Sequence, residues 1–222
     1  MINHIYCGDC QEILPLLQKE SVDAVVTDPP YGMEFRSNYR TVRYKKISND
    51  KKGDVSSWLG QVVWELHRVM KPNTALYWFC NMHSVSEFVF EIEKLFKIKN
   101  ILIWEKNNTG MGDLSAAYAP KYEMIIYANK GRRELIGRRD PDILHFNRTG
   151  NIHHPTEKPV DLLEYLLSKS TNEGDIVLDP FLGSGSTAVA CKNTNRNYVG
   201  IEMEQDYYRK ALERISQWTH TE

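Results

Sequence analysis

Short apolar runs alternate along this chain with longer stretches in which apolar residues recur every three or four positions, and that alternation predicts strands and helices in turn. Residues 2–6 read as a short first strand. Asp9 is placed to cap a helix carrying Ile13, Leu14, Leu16 and Leu17, with Pro15 tolerable only in an early turn. The run 22–27 reads as a buried strand. Asp54 is placed to cap a helix with Trp58, Leu59, Val62, Val63, Leu66, Val69 and Met70 on one face, ended by Lys71-Pro72-Asn73. Residues 74–80 predict a strand, 84–96 a helix, and 98–104 and 122–128 two more strands. Helices are expected at 160–167 and 206–218, and a further strand at 198–201.

Between those last two helices lies the most informative pattern. Val177-Leu178 run into Asp179, then Pro180-Phe181-Leu182-Gly183-Ser184-Gly185, then Thr187-Ala188-Val189-Ala190-Cys191. Strand, glycine turn and helix in that order are how α/β folds hold a nucleotide-like cofactor. Gly183-x-Gly185-x-x-Ala188, with Glu202 downstream to hold a ribose, also fits the dinucleotide fingerprint. No Lys-Ser/Thr pair follows the glycines, which disfavours a phosphate-cradling P-loop. Only a helix-length tail follows Glu202, so the remaining strands must precede the glycine turn. The predicted fold is therefore a doubly wound, mostly parallel sheet of about seven strands whose cofactor loop closes the domain.

Composition narrows the partners. The 222 residues suit one domain, 1–222, with a basic loop at about 32–53 and a short segment at about 130–153 inserted. A formal charge of −1 excludes a globally basic nucleic-acid binder, leaving local patches. Cys7 and Cys10 have metal-like spacing, but no second ligand pair is visible, so no metal is expected and a reduced, cytoplasmic chain is. No apolar run approaches membrane-spanning length and no leader-like segment is seen, so no membrane partner is expected.

Asp28-Pro29-Pro30-Tyr31 follows directly on the strand at 22–27. Two consecutive prolines fix φ twice and remove two backbone donors, so this turn is stiff. It holds an acid and an aromatic ring at a sheet edge, where open α/β sheets bind ligands.

Asp28-Pro29-Pro30-Tyr31, followed much later by Asp179-Pro180-Phe181-x-Gly183-x-Gly185, resembles the DNA amino-methyltransferases, which use S-adenosylmethionine to methylate exocyclic nitrogens. The catalytic motif precedes the cofactor motif, as in that family's permuted β group. Gly8-Asp9-Cys10, His154-Pro155-Thr156-Glu157-Lys158-Pro159 and Gly200-Ile201-Glu202 resemble its other motifs, in order. The resemblance covers nearly the whole chain. It implies a Rossmann-like methyltransferase fold with circularly permuted motifs, and adenine N6 as the target in double-stranded DNA, since Ser is commoner in this position among cytosine-N4 enzymes of the group.

The resemblance also implies roles. Asp28, Pro29, Pro30 and Tyr31 would be catalytic, with Tyr31 stacking on a flipped base. Asp9, Cys10, Thr156, Lys158, Asp179, Phe181, Gly183, Ser184, Gly185 and Glu202 would bind the cofactor. The loop 106–120 would help to close over the base, and Trp78 or Phe79 would serve as a pocket wall or as core. Two basic stretches are candidate DNA contacts: Arg36, Arg40, Arg43, Lys45 and Lys46 after the tetrapeptide, and Arg132, Arg133, Arg138 and Arg139 where the β group carries its target-recognition region. That second stretch is short, which leaves recognition to be shared with the first loop or with a homodimer. Cytosine-C5 chemistry is disfavoured, because it needs a thiolate and no Pro-Cys pair is present. Cytosine-N4 methylation, a nicotinamide oxidoreductase and a catalytically silent DNA-binding subunit remain as alternatives.

Overall fold

A computed structural model describes residues 2–30, 54–110, 113–149 and 157–217. Tyr31, Arg36, Arg40, Arg43, Lys45, Lys46 and Thr156 lie outside the described residues. The chain forms β1 (His4–Cys7), α1 (Cys10–Ile13), β2 (Val22–Thr27), α2 (Asp54–Val69), β3 (Met70–Cys80), α3 (Val85–Ile92), β4 (Lys97–Glu105) and β5 (Tyr122–Lys130). It continues through β6 (Ile143–His145), α4 (Val160–Ser170), β7 (Ile176–Asp179), α5 (Ser186–Asn193), β8 (Asn197–Glu202) and α6 (Gln205–Ser216).

The strands make one sheet in the order β1-β8-β7-β2-β3-β5-β4-β6. The first five are mutually parallel, β5 runs antiparallel to both β3 and β4, and β6 is parallel to β4. The sheet is mostly parallel as expected, with eight strands among the described residues instead of seven. The extra strand, β6, has only Ile143 and Leu144 as apolar residues, too short a run to show a period; the buried Leu144 and the bond from Trp104 Nε1 to the Phe146 carbonyl (2.9 Å) hold it at the edge.

Helices cover both faces. Leu162, Leu163, Leu166 and Leu167 of α4, Ala188 and Cys191 of α5 and Ala211 of α6 pack on one side. Leu59, Val62, Val63 and Leu66 of α2, with Phe88 and Ile92 of α3, pack on the other. Continuous apolar runs such as Val25-Val26 in β2 follow from burial on both faces.

Two local expectations are corrected. Pro15 lies within a 3₁₀ turn, Leu14–Leu16, that ends the first helix after Ile13, because proline cannot donate within a continuing α-helix; Leu16 is left exposed. Met70 is the first residue of β3 and not the last of the helix: it pairs with Val22, and a bulge with Asn73 at φ +60° takes up the residues before Ala75 pairs with Ala24.

Strand order fixes where a ligand can enter. From β2 the chain crosses through α2 to β3, while from β7 it crosses through α5 to β8, in the opposite direction along the sheet. Between β7 and β2 the two crossovers part, and such a switch point leaves a crevice beyond the C-terminal strand ends. Asp179 ends β7, and Asp28 follows the last residue of β2.

Candidate active site

Glycine turns shape one wall of the crevice. Gly185 adopts φ +89°, and a Cβ there would lie 3.1 Å from Ala211 Cβ, so glycine alone fits between the turn and α6. At Gly200, in β8, a Cβ would fall 2.5 Å from Leu182 Cδ2 and 3.2 Å from its Cγ. Leu182 is buried, and its N–H donates to the Ile201 carbonyl at 2.9 Å. Gly200→Ala is expected to displace Leu182 and the turn with it, destabilising the fold by about 1–3 kcal/mol; thermal unfolding would show a lower midpoint, and an unchanged midpoint would mean the turn is not held by this contact.

Each acid in the crevice has a defined place. Glu202 Oε2 accepts from the Gly183 N–H (2.7 Å) and Oε1 from the Glu204 N–H (2.8 Å). Burial raises its pKa, and these N–H donors offset part of that rise. Each oxygen retains a second lone pair for a hydroxyl donor. Asp9 caps α1 through Oδ1 to the Gln11 N–H at 2.8 Å, and the Gly8 N–H donates to the Glu202 carbonyl at 3.0 Å, so the β1 and β8 ends are tied together. Cys10 is buried. Burial, with Asp9 beside it, pushes its thiol up to about 12, which leaves it no reactive thiolate.

Asp179 faces inward. Its Oδ1 accepts from Thr27 Oγ1 (3.2 Å) and the Phe181 N–H (3.1 Å), and Oδ2 accepts from Thr187 Oγ1 (2.6 Å). Burial raises its carboxyl to about 7, against the lowering effect of those three donors. Thr27 immediately precedes Asp28, so Asp179 joins the cofactor-type turn to the Asp-Pro-Pro turn. Phe181 leaves the glycine turn toward α2 and packs on Trp58, ring centroids 5.9 Å apart.

Sequence reasoning missed what surrounds Asp28. Lys158 Nζ lies 2.6 Å from Asp28 Oδ2 and 3.1 Å from Glu123 Oε2, and Glu123 Oε1 in turn lies 2.6 Å from Lys106 Nζ. Lys158 is 8% exposed and sits 5.1 Å from the centroid of the Phe79 ring. Burial opposes its charge, yet Asp28 and Glu123 together raise its pKa above the ordinary lysine range. Glu123 behaves as the converse: burial works against its ionisation, and Lys158 and Lys106 still bring its pKa below the usual value. Phe79 and Trp78 belong to the core, with Phe79 also forming a wall under the ammonium. Cys80 is pushed up to about 12 by burial and by Asp28 and Glu123, so it offers no thiolate beside the Asp-Pro-Pro turn.

The four arginines after β5 are not brought to the crevice. β5 begins at the crevice edge, where Met124 pairs with Cys80, and ends at Lys130, whose Nζ donates to the His67 and Met70 carbonyls where β3 begins. Arg132 and Arg133 follow at that far edge, roughly 20 Å away along the strand, while Arg138 and Arg139 lie on the segment that passes α4 on its way to β6. Arg138 pairs with Asp140 at 3.1 Å, and the Ile136 N–H donates to the Lys169 carbonyl at the end of α4. In the loop 106–120, the Gly110 N–H donates to the Pro120 carbonyl at 2.7 Å. Among the described residues no cluster of three or more His, Cys, Asp or Glu could hold a metal, and no helix is long and apolar enough to cross a membrane.

Acids thus stand at the ends of β1, β8, β7 and β2 around a glycine turn, and a family model described as DNA methylase matches residues 22–213. The chain belongs to the DNA methylase family. The Escherichia coli (strain K12) protein YubD is 35% identical over 211 residues, covering 94% of this methylase and 88% of its own length. The DNA adenine methyltransferase YhdJ of the same organism is 28% identical over 249 residues, covering 96% and 82%. The solved structure of the M1.HpyAVI–SAM complex matches with a TM-score of 0.72 at 29% identity, over 96% of this chain and 98% of that one. The cytosine-N4-specific PvuII DNA methyltransferase, at 16% identity and a TM-score of 0.77, shares the fold; it covers 100% of the methylase and 88% of its own chain.

Proposed function

We propose that this chain transfers a methyl group from S-adenosylmethionine to the N6 amine of adenine in DNA. The observation that carries the reading is the bond from Thr27 to Asp179, which sets the Asp-Pro-Pro turn against the glycine turn at the switch point of the sheet. The residues at the turn suit this cofactor. Glu202 keeps acceptor capacity for ribose hydroxyls, the Gly183–Gly185 backbone permits close approach, and no lysine follows the glycines to meet a diphosphate. A nicotinamide dinucleotide would ask for phosphate contacts and leaves Asp28 unexplained.

S-adenosylmethionine, when bound, supplies an electrophilic methyl on a sulfonium. Glu202 would hold its ribose, Asp9 and Cys10 its adenine end, and Phe181, Gly183, Ser184, Gly185 and Thr156 the remainder. An exocyclic amine is a poor nucleophile because its lone pair is delocalised into the ring. Asp28, accepting from the amine N–H, localises that pair, and the Pro29 carbonyl is a second acceptor at the same stiff turn. The work is alignment and local electrostatics in a partly desolvated site. Tyr31 would stack on the extruded base, an interaction on the order of 1–3 kcal/mol. Arg36, Arg40, Arg43, Lys45 and Lys46, close behind Tyr31 in sequence, are proposed to meet phosphates; Arg132 and Arg133 would reach DNA only from the far edge of the sheet or through a second copy of the chain, and Arg138 and Arg139 from beside α4.

Adenine is assigned over cytosine because aspartate leads the tetrapeptide, and the adenine enzyme YhdJ is a relative along nearly the whole chain. Expression in a host devoid of DNA methylation, followed by nucleoside mass spectrometry, is expected to yield N6-methyladenine. N4-methylcytosine would keep the mechanism and change the base, and unmodified DNA would contradict the reading.

A further inference from the structure

The Asp28 role just proposed accounts for one end of a chain of four charges, Asp28, Lys158, Glu123 and Lys106, and leaves the other three unused. Glu123 stands at the start of β5, the antiparallel strand that meets the crevice from the far side of β3. Its two oxygens are divided, Oε2 toward Lys158 at 3.1 Å and Oε1 toward Lys106 at 2.6 Å. Lys158 is divided in the same way between Glu123 and Asp28. Beneath it lie the Phe79 ring and the rest of the core, so the ammonium has little water to share its charge with.

We propose that Glu123 is a positioning residue for the methyl-transfer reaction, acting through Lys158 on Asp28. This rests on Asp28 being the acceptor for the target amine. A carboxylate that bears the whole charge of a buried ammonium is a weaker acceptor toward any other N–H, because opposite charges in a site of low polarity interact strongly. Glu123 takes part of that ammonium. Asp28 is thereby anchored at a fixed position by one of the three Lys158 donors while keeping more of its charge for the amine. The four groups sum to zero charge, so the set can be buried together. Lys106 holds the outer oxygen of Glu123 and fixes the carboxylate between the two ammoniums.

The test is a double-mutant cycle with Glu123→Gln, which is isosteric, and Lys158→Gln, which removes the charge, measured on the full chain. Glu123→Gln is expected to lower kcat about 10- to 100-fold, as misplacement of a reacting group does. The unfolding midpoint and the calorimetric Kd for S-adenosylmethionine should stay close to wild type, and KM for DNA should change little. The two losses should not multiply: once Lys158 is gone, Glu123→Gln should cost little more. Multiplicative losses, or wild-type kcat in Glu123→Gln, would overturn the proposal. A loss confined to cofactor affinity or to folding would overturn it as well, since it would make Glu123 a structural residue. These failures occur with an active wild-type chain and so leave the Asp28 assignment standing; an inactive wild-type chain would instead remove the functional reading and this inference together.

Discussion

Replacing Asp28 with alanine is expected to lower methyl transfer on the order of 10²–10³-fold, the loss typical of removing one preorganised electrostatic partner from a reacting centre. S-adenosylmethionine affinity should remain within a few-fold, because Asp9, Glu202 and the glycine turn hang on β1, β8 and β7 and are not bonded to the Asp28 side chain. The fold should hold as well: Lys158 keeps Glu123 as a partner when its bond to Asp28 is lost. Single-turnover rates at saturating cofactor, with calorimetric titration alongside, separate these effects. Unchanged transfer in the variant would defeat the mechanism, and lost cofactor binding would place Asp28 among the cofactor residues instead.

The second large effect concerns Asp179, and it depends on pH. Burial raises this carboxyl from an ordinary value near 3.8 to about 7. A carboxyl whose pKa is raised by folding favours the folded state while it is protonated. Its contribution is full below about pH 4 and is lost as pH rises through about 7. The difference of about 3 units corresponds to a loss on the order of 1–4 kcal/mol across that window. Asp179→Asn mimics the neutral form: Oδ1 still accepts from Thr27 and the Phe181 N–H, and the amide can donate to Thr187 Oγ1. Denaturant unfolding at pH 5 and pH 8 should therefore show the asparagine variant gaining on wild type as pH rises. Asp179→Ala, which strands three donors, should lose about 2–4 kcal/mol at both. Parallel pH slopes for wild type and Asp179→Asn would mean that the carboxyl is ionised throughout.

Much of this architecture was legible because it is local. Apolar runs marked the strands buried on both faces, and prolines and glycines marked the two turns that end β2 and β7. Asp28, Asp179 and Glu202 could be named because each immediately follows or ends an apolar run. What escaped depends on register and direction. Glu123, an acid inside the apolar run Tyr122-Glu123-Met124-Ile125, carried a signal of its own, since charged residues are rarely buried without a partner. That partner, Lys158, is brought to it only by the antiparallel placement of β5 beside β3. The same reversal carries Arg132 and Arg133 to the far edge, although their charge was plain in the sequence. Lys158 was expected beside the cofactor from its motif alone, and its bond to Asp28 spans 130 positions of sequence. Asp179, expected among the cofactor residues, is turned inward by two threonines that no local pattern marks as its partners.

The central claim is that the Asp-Pro-Pro turn and the glycine turn form one catalytic crevice for an exocyclic amine. Its most direct test is transfer of labelled methyl from S-adenosylmethionine by the purified chain to unmethylated genomic DNA, with the product digested to nucleosides. The account predicts label in N6-methyladenine. Cofactor binding with no label in any exocyclic amine of the DNA would contradict it.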